Sequence, residues 1–439
     1  MGQVSHNPVV AKTDHELGEQ DIQCLGHLRK AFLLLDKLQD VGCERDVAGN
    51  RKLFFNDYCK LVLLYTWNPL IGSIRDLQKV VGLSSVAKAL GVERFSLGSF
   101  SESCRVFEPD LLKGVIAELG VELRQLPQDP RLADLEHALT LVDGTVLEAL
   151  PRLTRAICDD TLVNKKRGGG ELHAFRLHMQ LDLRTFLPFK LQRTGASNAG
   201  ELRESAVLRH SLEAGRCYVN DGAFADGPLM DEIVEVGSSF VTRVRENCAY
   251  EVIKECELTP EARSAGIISD RVVRLGGNPM KHPVRLLTLA VAPHPRRTRK
   301  ADRPHEGATD KAYKGQRISD RLMIATNLID LPSDLTALIY SKRYGIELYF
   351  RFLKQLLGMR HLLSRREEGV EIQIYCAVIV CLLINLMTGK KPNRAMVSMI
   401  GFYLAGMASV EEVLGFLNKP DNTGVKKRAK DELWKKLGY

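Results

Sequence analysis

From Phe175 to Leu183 the chain reads FRLHMQLDL, with apolar and polar residues in strict alternation. Leu177, Met179, Leu181 and Leu183 fall on one side, and Arg176, His178, Gln180 and Asp182 on the other. Successive side chains of a β-strand point to opposite faces, so a period of two reads as a half-buried strand with one apolar and one polar face. A helix cannot use that pattern, and it commits the middle of the chain to a sheet. TFLPFKLQRT (185–194) follows as the hairpin partner.

The flanking segments differ in character. Residues 1–135 place apolar side chains at helical spacing, as in HLRKAFLLLDKL and FNDYCKLVLLYTW, with few β-branched runs. Within them, SSVAKALGVERFSLGSFSESCRVF (84–107) has a short helix with Ala87, a turn at Gly91 and a second helix capped by Ser96 or Ser99. That layout suits a helix-turn-helix, and equally a plain corner of a helical bundle.

Strand signals begin at LEHALTLVDGTVLEAL, where Leu139–Val142 is expected to form a short strand ending on Asp143 and Gly144. Beyond NKKRGGGE (164–171) and the hairpin, RCYVNDG (216–222) repeats the motif, a short strand ending on Asp221 and Gly222. Helices are expected at 199–212 and over GPLMDEIVEVG, then a strand, SFVTRVREN, from which Arg243 and Arg245 alternate outward. Residues 248–318 are rich in β-type residues and turns and read as strands inserted into the domain. RLMIATNLIDLP returns as a core strand, and Ser333 or Asp334 can cap the helix behind it. The expected organisation is an α/β chain in three parts: a helical 1–135, a sheet-containing 136–365 and a helical 366–439.

Composition narrows the class. Hydrophobic residues make up 45% and charged residues 26%, as in a soluble globular protein. Ten cysteines include no C-x-x-C pair, so reduced thiols without a structural zinc are expected. The polar start GQVSHNPVVAKTDHE has no signal-peptide character. IYCAVIVCLLINLM (374–387) is shorter than the roughly 20 residues needed to span a bilayer and reads as a buried helix. A net charge of +8 is concentrated in HPRRTRKADRPH, GKKPNR and KKRAKDELWKK, which suit a polyanionic partner or are merely solvated loops and tails.

YSKRYGIELYFRFLK (340–354) is expected to be one helix with a single wet stripe. With Tyr340 at zero and about 100° per residue, Arg343 falls near −60°, Lys354 near −40°, Glu347 near −20° and Arg351 near +20°. Taken alone, Arg343, Glu347 and Arg351 at i, i+4 and i+8 make ordinary surface ion pairs. The two strand-end aspartates change the weighing. Strand ends at one sheet edge bring Asp143 and Asp221 side by side, and a packed helix can carry Glu347 to them. Three crowded carboxylates repel unless a cation neutralises them, and hard oxygen donors suit Mg2+ or Mn2+. Two such ions can activate an attacking oxygen and stabilise a leaving one in phosphoryl transfer.

Tyr340, Arg343, Glu347 and Lys354 reproduce the spacing Y-x2-R-x3-E-x6-K, and the chain here resembles the insertion sequence 4 family of DDE transposases. The resemblance covers about 137–365, with Asp143 in TLVDGT and Asp221 in YVNDGAF at the family's first two carboxylates. It implies a ribonuclease H-like catalytic core with a β-strand insertion before the glutamate helix. It further implies metal ligation by Asp143, Asp221 and Glu347, and DNA phosphate contact by Tyr340, Arg343 and Lys354. DNA contact by Arg243 and Arg245 is expected from their place at the active edge. The implied partners are double-stranded DNA, as terminal inverted repeats and target, and a second copy in the synaptic complex, in the cytoplasm of a bacterium at its nucleoid and with no membrane. Gly222 stands where the family often has arginine, and Tyr344 where it commonly has tryptophan. A nuclease of the same fold and a DNA-binding protein that has lost catalysis are the competing readings.

Overall fold

The computed structural model describes residues 25–148, 174–195, 203–276, 280–290, 321–358, 363–364 and 366–419. The basic runs at 294–305 and 426–436 and the segment 164–171 lie outside them. The first part is helical, with α1 (Leu25–Asp36), α2 (Phe55–Trp67), α3 (Ile74–Val81), α4 (Ser84–Leu90), α5 (Leu97–Ser103) and α6 (Leu111–Val121). Gly91 ends α4 at φ +68°, a left-handed conformation that costs a glycine nothing, and the Ser96 hydroxyl accepts from Ser99 N at 2.9 Å to start α5.

The sheet then begins with β1 (Ala138–Glu148), β2 (Ala174–Asp182) and β3 (Pro188–Gly195). Next come α7 (Glu204–Arg209), β4 (Arg216–Asn220), α8 (Gly227–Glu235) and β5 (Ser239–Val244). The inserted segment supplies β6 (Tyr250–Glu255), α9 (Pro260–Ser264), β7 (Ile267–Leu275) and β8 (Val284–Ala290), and β9 (Arg321–Thr326) returns. Helices α10 (Ser333–Ser341), α11 (Tyr344–Gly358), α12 (Glu367–Thr388), α13 (Arg394–Leu404) and α14 (Val410–Asn418) complete the order.

The nine strands among the described residues form one sheet in the order β3-β2-β1-β4-β5-β9-β8-β7-β6. β1 is antiparallel to β2 and parallel to β4, β4 is parallel to β5, and β5 is antiparallel to β9. The inserted strands therefore extend the central sheet beyond β9. Alternation divides the strands between two cores. Leu139, Leu141, Cys217 and Val219 face the side covered by α11 and α12, whereas Val142, Tyr218 and Phe240 face Leu208, Leu229 and Ile233 of α7 and α8.

Two expectations need correction. The polar side of β2 is not wet: His178 and Gln180 are buried, because α7 and the turn after it lie over that face. Most polar groups there find partners within the protein, as burial requires, although Gln180 Oε1 and Arg176 Nε are buried without a hydrogen bond. Gln180 Nε2 donates to Ser211 Oγ at 2.7 Å, His178 Nε2 meets Thr194 Oγ1 at 2.8 Å, and Arg176 pairs with Glu204. The second correction concerns only length: α12 runs 22 residues, beyond the apolar run 374–387, and is long and apolar enough to cross a membrane, while 89% of its apolar window is buried inside the protein. It packs against α2 and α6 as a core helix, as its apolar run led us to expect.

The insertion is tied to the chain entering α10. Asp270 of β7, 1% exposed, accepts two hydrogen bonds from Arg285 of β8 at 2.8 and 2.6 Å. Arg285 Nη1 also donates to the Ile329 carbonyl at 2.8 Å and to that of Leu331. One guanidinium thus joins two inserted strands to the turn that leads into the motif helices. The eight described cysteines are all free.

Candidate active site

Parallel pairing sets two of the carboxylates. The β1–β4 ladder ends with Leu141 opposite Val219. Asp143 and Asp221 each lie two residues further on, so they stand on the same face and in step. Asp143 does not end its strand. β1 continues to Glu148 because β2 still pairs with it, with Asp143 opposite Met179. The site lies where β4 stops and β1 does not.

Local hydrogen bonds hold both side chains. Asp143 Oδ1 accepts from Gly144 N at 2.8 Å. Asp221 Oδ1 accepts from Ala223 N at 2.8 Å and caps the short turn Gly222–Phe224. Burial pushes the Asp143 carboxyl up to about 7; Asp221 and Glu204 add to the rise, and the Gly144 N–H and Arg343 oppose it. Asp143 and Asp221 therefore interact as like charges.

The motif segment is two helices, not one. α10 ends at Ser341 and α11 starts at Tyr344. Across the joint, Lys342 N bonds Ile339 O, Arg343 N bonds Tyr340 O and Gly345 N bonds Lys342 O, at 3.0, 3.0 and 2.8 Å. These are i to i+3 bonds, tighter than an α-helix. The common stripe expected for Tyr340, Arg343, Glu347 and Lys354 is therefore broken, and only Glu347, Arg351 and Lys354 share a helix. The break lets α11 approach β1, where a Cβ on Gly345 would stand 3.1 Å from Leu141 Cδ1.

Arg343 is the hub of this joint. Its Nη2 donates to Glu347 Oε1 at 2.5 Å, and its guanidinium lies 6.0 Å from the centre of the Tyr340 ring. Burial works against its charge, yet Tyr340, Glu347 and Asp143 together hold it above its ordinary pKa. Burial likewise lifts the Tyr340 phenol; Arg343 and Arg243 pull it back, and Asp221 adds to the rise. Arg243 thus faces the motif helices. Arg245 lines a separate cleft of about 840 Å³ with Arg203, Gly222 and Gly276. Lys354 is exposed on α11, and Arg351 Nη2 donates to the Tyr344 hydroxyl at 3.3 Å.

One further residue borders the aspartates that the linear motifs did not single out. Glu204, at the start of α7, is 6% exposed, pairs with Arg176 of β2 and lies against Gly144. Burial raises its carboxyl; Arg176 opposes that shift and Asp221 adds to it. The glycine after Asp143 and the cation on the polar face of β2 were the visible signals, but neither pointed to Glu204. His178 is a buried core histidine whose burial, with Arg176, lowers it to about 4.

The donor set suits a hard divalent cation in its chemistry, because Asp143 and Asp221 offer like-charged oxygens that repel until one is neutralised. Glu347 is instead engaged by Arg343. Among the described residues no three carboxylate, histidine or cysteine side chains are gathered closely enough to hold a metal ion as they stand. The expected trio is brought to one region but not to one point.

The model of the family described as "Transposase DDE domain" matches residues 134–384, which include Asp143, Asp221 and Glu347. A Sinorhizobium fredii protein named as a transposase, y4zB, is 24% identical over 240 residues, 54% of this chain and 59% of that protein. The chain thus spans about three-fifths of that relative's length. A Geobacillus stearothermophilus protein named as a transposase for insertion sequence element IS5377 is 21% identical over 73% of this chain and 75% of its own. A Synechocystis protein named as a transposase for insertion sequence element IS4SA is 37% identical over 76 residues, 17% of this chain and 22% of its own.

Proposed function

Since the chain belongs to the Transposase DDE domain family, whose model matches more than half of its 439 residues, we propose that it cuts DNA at the ends of an insertion sequence and joins the freed 3′ ends to target DNA. The observation that carries this reading is the register placing Asp143 and Asp221 in step on neighbouring parallel strands, with Glu347 one ion pair away on Arg343. The sheet order β3-β2-β1-β4-β5, with β1, β4 and β5 parallel, supports a ribonuclease H-like core carrying an insertion.

In this reading Asp143, Asp221 and Glu347 would hold Mg2+ or Mn2+. When bound, such ions activate the attacking oxygen and offset charge on the leaving one. The protein's own groups have separate tasks. Gly144 N–H and Ala223 N–H orient the two aspartates. Arg343 holds Glu347 in the free protein and is placed with Tyr340 and Arg243 to receive a DNA phosphate. A planar guanidinium suits that task because it can bind two phosphate oxygens at once. Lys354 and Arg245 extend the positive surface along the DNA.

Residues 1–135 would serve end recognition, 136–365 catalysis and 366–439 support of the catalytic helices. Terminal inverted repeats and target duplex are the DNA partners, two copies bring the ends together, excision is by cut-and-paste, and the site of action is the bacterial nucleoid in the cytoplasm. The deciding experiment incubates the protein with duplexes carrying the inverted repeats that flank its coding region. Nicking at the repeat end that requires Mg2+ or Mn2+, and that Asp143→Asn, Asp221→Asn and Glu347→Gln each abolish while DNA binding persists, is expected. Repeat binding without nicking under any divalent ion identifies a DNA-binding protein that has lost catalysis.

A further inference from the structure

Gly144 stands directly in front of Glu204. A Cβ at this position would stand 2.6 Å from Glu204 Oε1, 3.1 Å from Cδ and 3.2 Å from Cγ. Without a Cβ, Gly144 leaves that space to the carboxylate end of Glu204, which a larger residue would displace. By alternation Gly144 faces the α7–α8 side of the sheet, opposite to Asp143. Glu204 reaches the strand from the first turn of α7, and Arg176 Nη1 of β2 donates to the same Oε1. Both partners are largely buried, with 6% of the Glu204 side chain and 16% of the Arg176 side chain exposed. Water screens such charges poorly. The Glu204 charge is felt at Asp143, and that of Asp221 is felt at Glu204.

We infer that Glu204 and Arg176 form a charge-setting pair behind the two aspartates: Glu204 adds negative potential that favours a divalent cation at Asp143 and Asp221, and Arg176 opposes it. This rests on the reading of those aspartates as cation ligands. Glu204 is a positioning residue for charge, acting through the sheet backbone side of the site and not through the DNA. Gly144 is the small residue that admits it.

An ion pair that merely braces α7 against β2 loses from removal of either partner. A charge-setting pair responds with opposite signs. The experiment titrates Mn2+ into the full-length protein without DNA and follows free Mn2+ by electron paramagnetic resonance, with thermal melts as the check on folding. Glu204→Gln is expected to weaken Mn2+ binding by about tenfold, and Arg176→Gln to tighten it by roughly threefold or more, as a unit charge near a divalent ion requires at an intermediate dielectric. Shifts in the same direction, or no shift in either variant, overturn the inference. If a single variant does not fold, the neutral pair Arg176→Gln with Glu204→Gln carries the test. Affinity close to that of the unaltered protein is expected, since the net charge is unchanged, and a marked loss overturns the inference. Asp143→Ala in the same titration separates the two layers. If it leaves Mn2+ binding intact, the reading of the aspartates falls; if it abolishes binding while Glu204→Gln has no effect, only the role of Glu204 falls.

Discussion

Gly345 and Leu141 meet where the motif helix touches the sheet: a Cβ on Gly345 would stand 3.1 Å from Leu141 Cδ1 and 3.6 Å from Phe186 Cε2. Each of the pair lies two residues before a carboxylate, Leu141 before Asp143 and Gly345 before Glu347. The contact therefore sets the distance between the sheet and helix parts of the site. Gly345→Val overpacks this contact and is expected to cost about 1–3 kcal/mol. Urea unfolding measures the loss, and nicking falls by more than stability alone explains, because α11 is pushed away from Asp143. Wild-type nicking by a folded Gly345→Val protein contradicts this account.

The Asp270–Arg285 pair is a stability element far from the carboxylates. Asp270→Ala leaves a partly buried guanidinium with its two carbonyl partners but no counter-charge, and the expected cost is about 3–5 kcal/mol. Replacing both, Asp270→Leu with Arg285→Met, should cost less than the single change. A double variant worse than Asp270→Ala shows that the bonds to Ile329 and Leu331 matter more than the ion pair.

His178 makes stability depend on pH. Its folded value, about 4, lies below its ordinary value of 6.5, so the unfolded chain binds a proton that the native protein refuses. Stability is complete above 6.5, declines as pH falls below it, and is lost further as pH passes toward 4. Between pH 7 and pH 5 the loss from this group is about 2 kcal/mol. Urea midpoints across this range should fall for the unaltered protein and fall less for His178→Gln. Identical slopes for the two proteins exclude the histidine as the cause.

Lys354 lies about two turns beyond Glu347 on α11, roughly 10 Å along the helix. If it touches a DNA phosphate, Lys354→Ala should reduce the slope of log K against log salt by about one counterion. Arg343→Lys is expected to impair binding in a different way, since a point charge cannot replace the bidentate contact. Binding isotherms at several salt concentrations check both, and an unchanged slope for Lys354→Ala removes it from the interface.

Much of the fold was legible along the chain. The alternation of 175–183, the apolar runs ending in Asp143-Gly144 and Asp221-Gly222, and the apolar stretch within α12 each specify an element through spacing alone, because a local period decides which side chains share a face. The strands of the insertion and the return of β9 were legible for the same reason. What spacing cannot decide is which faces the rest of the chain will cover. The polar side of β2 reads as wet, yet α7 lies over it, turning His178 into a core residue and Arg176 into the partner of Glu204. The uninterrupted helical pattern of 340–354 conceals the joint after Ser341, which packing of Gly345 against Leu141 favours over a straight helix. Asp143 looks like a strand end, but pairing with β2 carries β1 on to Glu148. The sequence by itself determined the carboxylates and the elements that bear them. The i, i+4 spacing already offered the Arg343–Glu347 pair, whereas only tertiary structure decided that Glu204 stands behind Gly144, because that relationship depends on close approach between segments that no local pattern connects.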